Sequence, residues 1–293
     1  MRSGMREALR DLGGAFLPLA LRDLEGEIAD RLRKIPTELN EYGYDRFGMA
    51  PASIQRLILP AVLLYRYYFR VECFGIERVP ERRVLLVANH AGQLPFDAAM
   101  LGTAMLLEAE PPRIARGMGE YWISQLPWLN VAATRTGNLV GTPENCAAML
   151  DAEECVMVFP EGVGGMNKTW DQRYRLQPFG LGFMRLALET GAPIVPVGIV
   201  GSEEQQPGLA NWKGLARALG MPAFPVTLGF PWLGPLGLLP LPAKYRFHFG
   251  EPLCFEGSAS EEDEVMRRRV EQVREAIAEL LARGREARAG VFR

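Results

Sequence analysis

From about residue 71 onward the chain alternates between two hydrophobic patterns. Short, continuous, often β-branched apolar runs predict strands at Arg83–Ala88, Arg113–Arg116, Asn138–Val140, Cys155–Phe159, Ile194–Ile199 and Tyr245–Phe249. Between them, apolar residues at helical spacing predict helices at Pro95–Leu107, Pro143–Leu150, Leu181–Thr190 and Glu261–Ala282. Pro95 and Pro143 suit a first helical turn, where a missing N–H has no partner to lose. Gly191 suits a helix end. The last helix aligns Val270, Val273, Ile277, Leu280 and Leu281 in one stripe. Unbroken apolar strands are those covered on both faces. The pattern therefore predicts an α/β fold with a largely parallel central sheet flanked by helices.

Residues 1–70 read differently, as a mainly helical N-terminal segment preceding an α/β domain over 71–293. The stretch Arg22 to Leu39 is charged and amphipathic. Ser53 to Arg70 joins an apolar body to the aromatic cluster Tyr65, Tyr67, Tyr68 and Phe69. It fits either a helix packed on the core or a membrane-surface helix with Arg66 and Arg70 towards anionic lipid, and the aromatic cluster favours the second, so the N-terminal segment is expected to face a membrane. Gly13 to Leu21 is a short apolar stretch after several arginines, but no small-residue cleavage pattern follows it. It is expected to be an interfacial or packed helix.

Two segments approach the character of a membrane span without reaching it. Leu57 to Tyr65 is too short, since a span needs about 20 residues. Ala218 to Ala243 carries no charge, but Pro222, Pro225, Pro231, Pro235, Pro240 and Pro242 interrupt it. Such a segment cannot keep its helical hydrogen bonds in lipid. It fits a buried loop or short strands, or a surface that dips into the headgroup layer on Phe224, Phe230 and Trp232.

Composition narrows the chemistry. A net charge of −2 over 293 residues gives no reason to expect nucleic-acid binding. Cys73, Cys146, Cys155 and Cys254 are scattered, which predicts reduced thiols rather than a disulfide framework, and two distant histidines argue against a zinc site. One of those histidines lies in Asn89-His90-Ala91-Gly92-Gln93-Leu94-Pro95-Phe96-Asp97, just after a strand. A neutral imidazole oriented by a carboxylate can take a proton from a hydroxyl near pH 7. A histidine near an acid is by itself commonly structural. Pro95 rules out one unbroken helix from His90 to Asp97, so a loop must fold the carboxylate back to the ring. The second candidate is Phe159-Pro160-Glu161-Gly162, also just past a strand. Ligands of such sheets gather at the carboxyl ends of strands, where both motifs would open onto one crevice. Lys168, Arg173 and Arg175 come next, cations suited to a phosphate or coenzyme tail, or to solvent. No GxSxG nucleophile elbow and no dinucleotide fingerprint is present.

The ordered set of His90…Asp97, Phe159-Pro160-Glu161-Gly162 and Pro193-Ile194-Val195-Pro196-Val197 resembles the glycerolipid acyltransferase family, lysophosphatidate and glycerol-3-phosphate acyltransferases among them. The resemblance covers about residues 71 to 250. It implies a transfer of a fatty acyl chain from acyl-CoA, or an acyl carrier protein, to a glycerolipid hydroxyl such as that of lysophosphatidate, a lysophospholipid or diacylglycerol. His90 would be the general base, Asp97 its orienting partner, and Glu161 with Gly162 an acceptor-binding corner. The acyl thioester would be a co-substrate, with no bound cofactor and no metal. The expected partner is a membrane lipid surface, and the expected location is the cytoplasmic face of a membrane, peripheral or monotopic. Two departures stand out. The family spaces its His and Asp by four residues, whereas six intervene here and Pro95 holds the usual acid position. The block that normally supplies a phosphate-binding arginine, Thr136 to Asn145 here, has none, leaving Arg116 and Arg135 as nearby candidates. These changes are similar to the diacylglycerol-acyltransferase-like branch. The rival expectations are an inactive lipid-binding protein on the same fold, or a thioester hydrolase.

Overall fold

Every residue of Val84–Ala88 is buried, and the two sides of this strand reach two different cores. Val84, Leu86 and Ala88 join one cluster, and Leu85 and Val87 join the other, as the two-residue period of a strand requires. The computed structural model describes residues 21–121, 126–218 and 224–292. Most of Gly13 to Leu21, and Pro222 within the proline-rich stretch, lie outside the described residues.

The strands are β1 (Glu72–Phe74), β2 (Val84–Ala88), β3 (Ala115–Gly119), β4 (Leu139–Val140), β5 (Cys155–Val158), β6 (Ile194–Val200), β7 (Gly208–Asn211), β8 (Pro225–Thr227) and β9 (Arg246–Phe249). The helices are α1 (residues 21–33), α2 (Pro51–Leu57), α3 (Leu59–Leu63), α4 (Phe96–Leu107), α5 (Leu129–Arg135), α6 (Pro143–Asp151), α7 (Gly162–Met166), α8 (Gly182–Thr190), α9 (Ser202–Gln205), α10 (Lys213–Ala218) and α11 (Asp263–Ala287). Seven strands form one sheet in the order β1-β9-β6-β2-β5-β3-β4. Its pairings are parallel except that between β6 and β9. β7 and β8 form a separate antiparallel ribbon. The predicted strands and helices all appear, with boundaries shifted by a few residues at most at the strands. The last helix runs on to Ala287, beyond the predicted Ala282.

Helices cover both faces of the sheet. Leu24, Ile28 and Leu32 of α1 line one stripe of the first core, with Ile54, Val62, Tyr65, Phe69 and most of α4. Residues 21–70 are thus packed on the sheet, and no described helix is long and apolar enough to cross a membrane. Arg66 pairs with Glu27, and Arg70 donates to the carbonyls of Tyr68 and Pro242, so both cations are engaged within the chain. The second core takes the apolar stripes of α6, α8 and α11. Close approach of α11 to β6 depends on a missing side chain: a Cβ at Gly198 would stand 2.7 Å from that of Leu280.

Candidate active site

β2 and β5 run parallel, so their carboxyl ends deliver His90 and Glu161 to one edge of the sheet. Asn89 fixes the exit from β2. Its side chain donates to the Ile199 carbonyl at 3.1 Å and accepts from the Ile199 N–H at 2.7 Å, which extends the ladder to β6. Gly92 then turns the chain at φ +84°, a conformation suited to glycine, and a Cβ there would collide with Gln205. The turn brings α4 back under His90.

Asp97 lies in the first turn of α4, where the helix dipole favours a carboxylate, and it is fully buried. Its Oδ2 is 2.7 Å from His90 Nδ1 and accepts the Ala91 N–H at 2.9 Å, while Oδ1 accepts the Ala98 N–H at 2.8 Å. The loop with six intervening residues therefore closes. A carboxylate accepting from Nδ1–H leaves the lone pair on Nε2, the form of imidazole that can take a proton. Phe159 lies against the ring, with centroids 4.4 Å apart.

Glu161 is held inside. Its Oε1 accepts the His90 N–H at 2.9 Å, and its Oε2 accepts the Gln177 N–H at 2.7 Å and lies 3.4 Å from Lys168 Nζ. The side chain is completely buried. This carboxylate positions the His90 backbone, and both of its oxygens are engaged within the chain. Gly162 begins α7 at φ +53°.

Three comparisons with known proteins bear on this geometry. A family model described as Acyltransferase matches residues 70–200, the span that contains His90, Asp97 and Glu161. An uncharacterised protein of Mycobacterium tuberculosis, Rv0502, is 40% identical over 281 residues, covering 94% of this chain and 78% of its own. This chain belongs to one family with Rv0502 and carries an acyltransferase domain over residues 70–200. It is also 20% identical over 202 residues to a Bos taurus protein named DGAT1/2-independent enzyme synthesizing storage lipids, covering 66% of this chain and 54% of that one. In fold it is similar to the 1-acyl-sn-glycerophosphate acyltransferase PlsC of Thermotoga maritima, with a TM-score of 0.52, 19% identity and 81% of each chain covered.

Of the other expected cations of this acyltransferase, Lys168 lies beside His90 through Glu161, whereas Arg116 and Arg135 are engaged elsewhere. Arg116 is 1% exposed and bonds Asp45 and Glu154, each at 2.6 Å. It is in register with Val156 and so with Leu85, five residues upstream of His90. At roughly 3.3 Å per residue that is about 16 Å along the strand. Arg116 thus ties the 45–49 turn to the sheet, away from His90. Arg135 is likewise engaged elsewhere: it lies over the Tyr44 ring at 3.8 Å and donates to the Gly48 carbonyl. Arg173 is exposed and lies over Trp170. Lys168 is buried between Glu161 and Glu203, 2.6 Å from the latter. Burial pushes the Glu203 carboxyl up to about 7, against the opposing pull of Lys168. Among the described residues no group of three or more His, Cys, Asp or Glu side chains could hold a metal ion.

Two features of the site went unread in the sequence. Ser202-Glu203-Glu204-Gln205-Gln206, five consecutive polar residues, are all buried. Glu203 holds Lys168, Glu204 accepts from the Tyr174 hydroxyl and Arg288, Gln205 accepts from Tyr245, and Gln206 accepts the N–H groups of Gln93 and Leu94. Their position just after β6, a strand continuous enough to be central, was the available signal. The other is Gly165, where a Cβ would stand 2.7 Å from that of Glu161 and 2.9 Å from the His90 carbonyl oxygen.

Proposed function

We propose that this acyltransferase moves a fatty acyl chain from acyl-CoA, or an acyl carrier protein, to the hydroxyl of a glycerolipid such as lysophosphatidate, a lysophospholipid or diacylglycerol. The reading rests on one observation above the rest, the 2.7 Å pairing of His90 Nδ1 with buried Asp97. In the reaction Nε2 of His90 removes the proton of the acceptor hydroxyl. The oxygen attacks the thioester carbonyl, a C–O bond forms, the C–S bond breaks, and the departing sulfur leaves as a thiol with the proton from the imidazolium. Asp97 stabilises that imidazolium. A thioester is already activated, so no nucleophilic side chain is needed. A positioned base supplies about 10²–10⁴-fold, and holding two substrates together supplies much of the rest. A glycerolipid acceptor resides in a bilayer, and the proposed site of reaction is the cytoplasmic face of a membrane, with the chain bound peripherally or monotopically.

The test is product mass spectrometry with labelled acyl-CoA or acylated carrier protein against a panel of lysolipids and diacylglycerol. A new ester is expected with at least one acceptor, and none with His90→Ala of unchanged fold. Full turnover in that variant refutes the base. Free fatty acid without an ester would point to a hydrolase, and no product at all to a lipid-binding protein.

A further inference from the structure

Two apolar segments distant in sequence are joined at the surface of the molecule. In the first, Leu228, Trp232, Leu233, Leu236 and Leu239 are each 65–70% exposed. In the second, Pro60, Leu63, Leu64, Tyr67 and Tyr68 line a shallow apolar groove. The Tyr68 hydroxyl donates to the Pro240 carbonyl at 2.6 Å, which joins the two. Soluble proteins rarely leave so many large apolar side chains together in water.

Much of the backbone of the first segment is paired within the chain or carries no donor. Prolines 225, 231, 235, 240 and 242 have no N–H to satisfy. The N–H groups of Gly229 and Phe230 bond Thr227 Oγ1, and those of Leu233, Gly234, Leu239 and Leu241 bond carbonyls of the chain. Lipid demands such internal pairing, whereas a protein partner would offer bonds of its own. No charged residue occurs between Ala218 and Ala243, yet Arg70 is bonded to the Pro242 carbonyl at one end of the segment. A charge-free apolar face with a tryptophan and an arginine beside it is complementary to an anionic headgroup layer over hydrocarbon.

This face is wired to the catalytic loop. Gln206 Oε1 accepts the N–H groups of Gln93 and Leu94, at 3.0 and 3.2 Å, midway between His90 and Asp97. Gln206 Nε2 donates to the Leu238 carbonyl, and Leu241 N–H donates to the Gln205 carbonyl at 2.6 Å. One amide side chain thus bridges the loop that carries the base and the segment that carries the exposed leucines.

We propose that the two apolar segments form a single bilayer-docking face, and that Gln206 couples the seating of this face to the geometry of the His90–Asp97 loop. The inference rests on the reading above, in which the acceptor is a membrane lipid. Gln206 acts through the loop and is a positioning residue. Docking orders the 228–241 segment, Gln206 transmits that order to Gln93 and Leu94, and turnover at a lipid surface exceeds turnover on dispersed substrate.

The experiment uses the full chain and vesicles of phosphatidylcholine with and without phosphatidylglycerol. Flotation and amide exchange are read first, because neither depends on catalysis. The wild type is expected to float, better with the anionic lipid, and its Gln93 and Leu94 amides should exchange about tenfold more slowly on vesicles. The exposed double variant Trp232→Ser, Leu236→Ser should partition at least about tenfold less. Gln206→Leu should float as wild type without the slowing of exchange. Gln206→Glu, which keeps the acceptor oxygen but loses the donor to Leu238, should behave as Gln206→Leu on vesicles. A double variant that floats as well as wild type overturns the docking face, as does a wild type that self-associates through this face and does not float. Equal exchange of Gln93 and Leu94 with and without vesicles in the wild type overturns the coupling. Where turnover is detected, the ratio of vesicle to dispersed-substrate rates should fall in both the double variant and Gln206→Leu. A chain that floats and responds in exchange but forms no ester would refute the catalytic reading alone.

Discussion

Asp97→Asn changes one atom of the pair and removes its charge, and the surrounding donors set the consequence. Three groups donate to this carboxylate: His90 Nδ1 and Ala91 N–H to Oδ2, and Ala98 N–H to Oδ1. An asparagine has one acceptor oxygen and one amide nitrogen. If its oxygen takes the place of Oδ2, the imidazole keeps its tautomer, but the amide nitrogen faces the Ala98 N–H. The imidazolium that forms during proton transfer then has no counter-charge in a buried site. If the side chain is flipped, the amide nitrogen faces both His90 Nδ1 and the Ala91 N–H. The ring must then carry its proton on Nε2, where the base should have a lone pair. Either way one backbone N–H is orphaned, which costs about 1–3 kcal/mol of stability. Either way the rate falls, because breaking a buried charged pair costs about 3–5 kcal/mol, or roughly 10²–10⁴-fold in kcat at 1.36 kcal/mol per tenfold. The assay follows thiol release from acyl-CoA with a saturating acceptor, alongside a urea melt to show that the variant is folded. The loss should fall on kcat, with KM for the acceptor nearly unchanged. A folded variant with kcat within about tenfold of wild type refutes the pairing as a catalytic device.

Other substitutions test the rest of the site. Gly165→Ala places a methyl against the Glu161 Cβ and the His90 carbonyl oxygen, and should cost about 1–3 kcal/mol in a urea melt and lower turnover as well; unchanged values in both would show that α7 yields without moving His90. Arg116→Ala strands the buried carboxylate of Asp45 and should lower stability by about 3–5 kcal/mol without raising the acceptor KM; a higher KM at full stability would return Arg116 to the substrate. For Glu203, burial holds the carboxyl up at about 7 against an ordinary value of 4.5, so within that window the folded chain keeps a proton that the unfolded chain has lost. Stability from this group is therefore fully present below the lower value and is lost as pH rises, by up to about 1.4 kcal/mol per pH unit. Glu203→Gln removes the slope, so the stability of wild type minus that of the variant should shrink as pH rises through the window; a difference that grows would mean that Lys168 holds the carboxyl low.

The central strands were legible because β2 and β6 are apolar at nearly every position, which only a strand covered on both faces can sustain. The helices flanking them were legible from their stripes and from Pro143 and Gly191 at their ends. β1, β7 and β8 were not, since Glu72, Gly208, Asn211 and Pro225 interrupt any continuous apolar run in them. Nor was the insertion of β9 between β1 and β6, because pairing partners are set by packing rather than by local propensity. At the site, the pairing of His90 with Asp97 was readable as a spacing and a need. The roles of Arg116 and Lys168 were not. An arginine in an apolar strand looks available in one dimension, and the acids that occupy it, Asp45 and Glu154, arrive from 71 and 38 residues away. The buried run from Ser202 to Gln206 has the composition of a solvated turn, and only its neighbours reveal it as a strut.

The long spacer between His90 and Asp97 is where chain, site and surface meet. Two additional residues in a loop must be ordered for the catalytic pair to form, at roughly 1–2 kcal/mol each in backbone entropy. The structure shows what offsets that cost. Gly92 adopts a conformation that glycine reaches without strain, Asp97 accepts the Ala91 N–H as well as the imidazole, and Gln206 accepts the two N–H groups at the tip of the loop. Each hydrogen bond contributes about 0.5–1.5 kcal/mol net, so these anchors and the ordering cost are of similar size. A balance that close makes the loop responsive to whatever holds Gln206. That side chain is bonded in turn to the Leu238 carbonyl, under the exposed leucines. An added stretch of loop that looks like a defect in the catalytic motif is thus, under the proposed docking, the element through which a lipid surface would bear on His90.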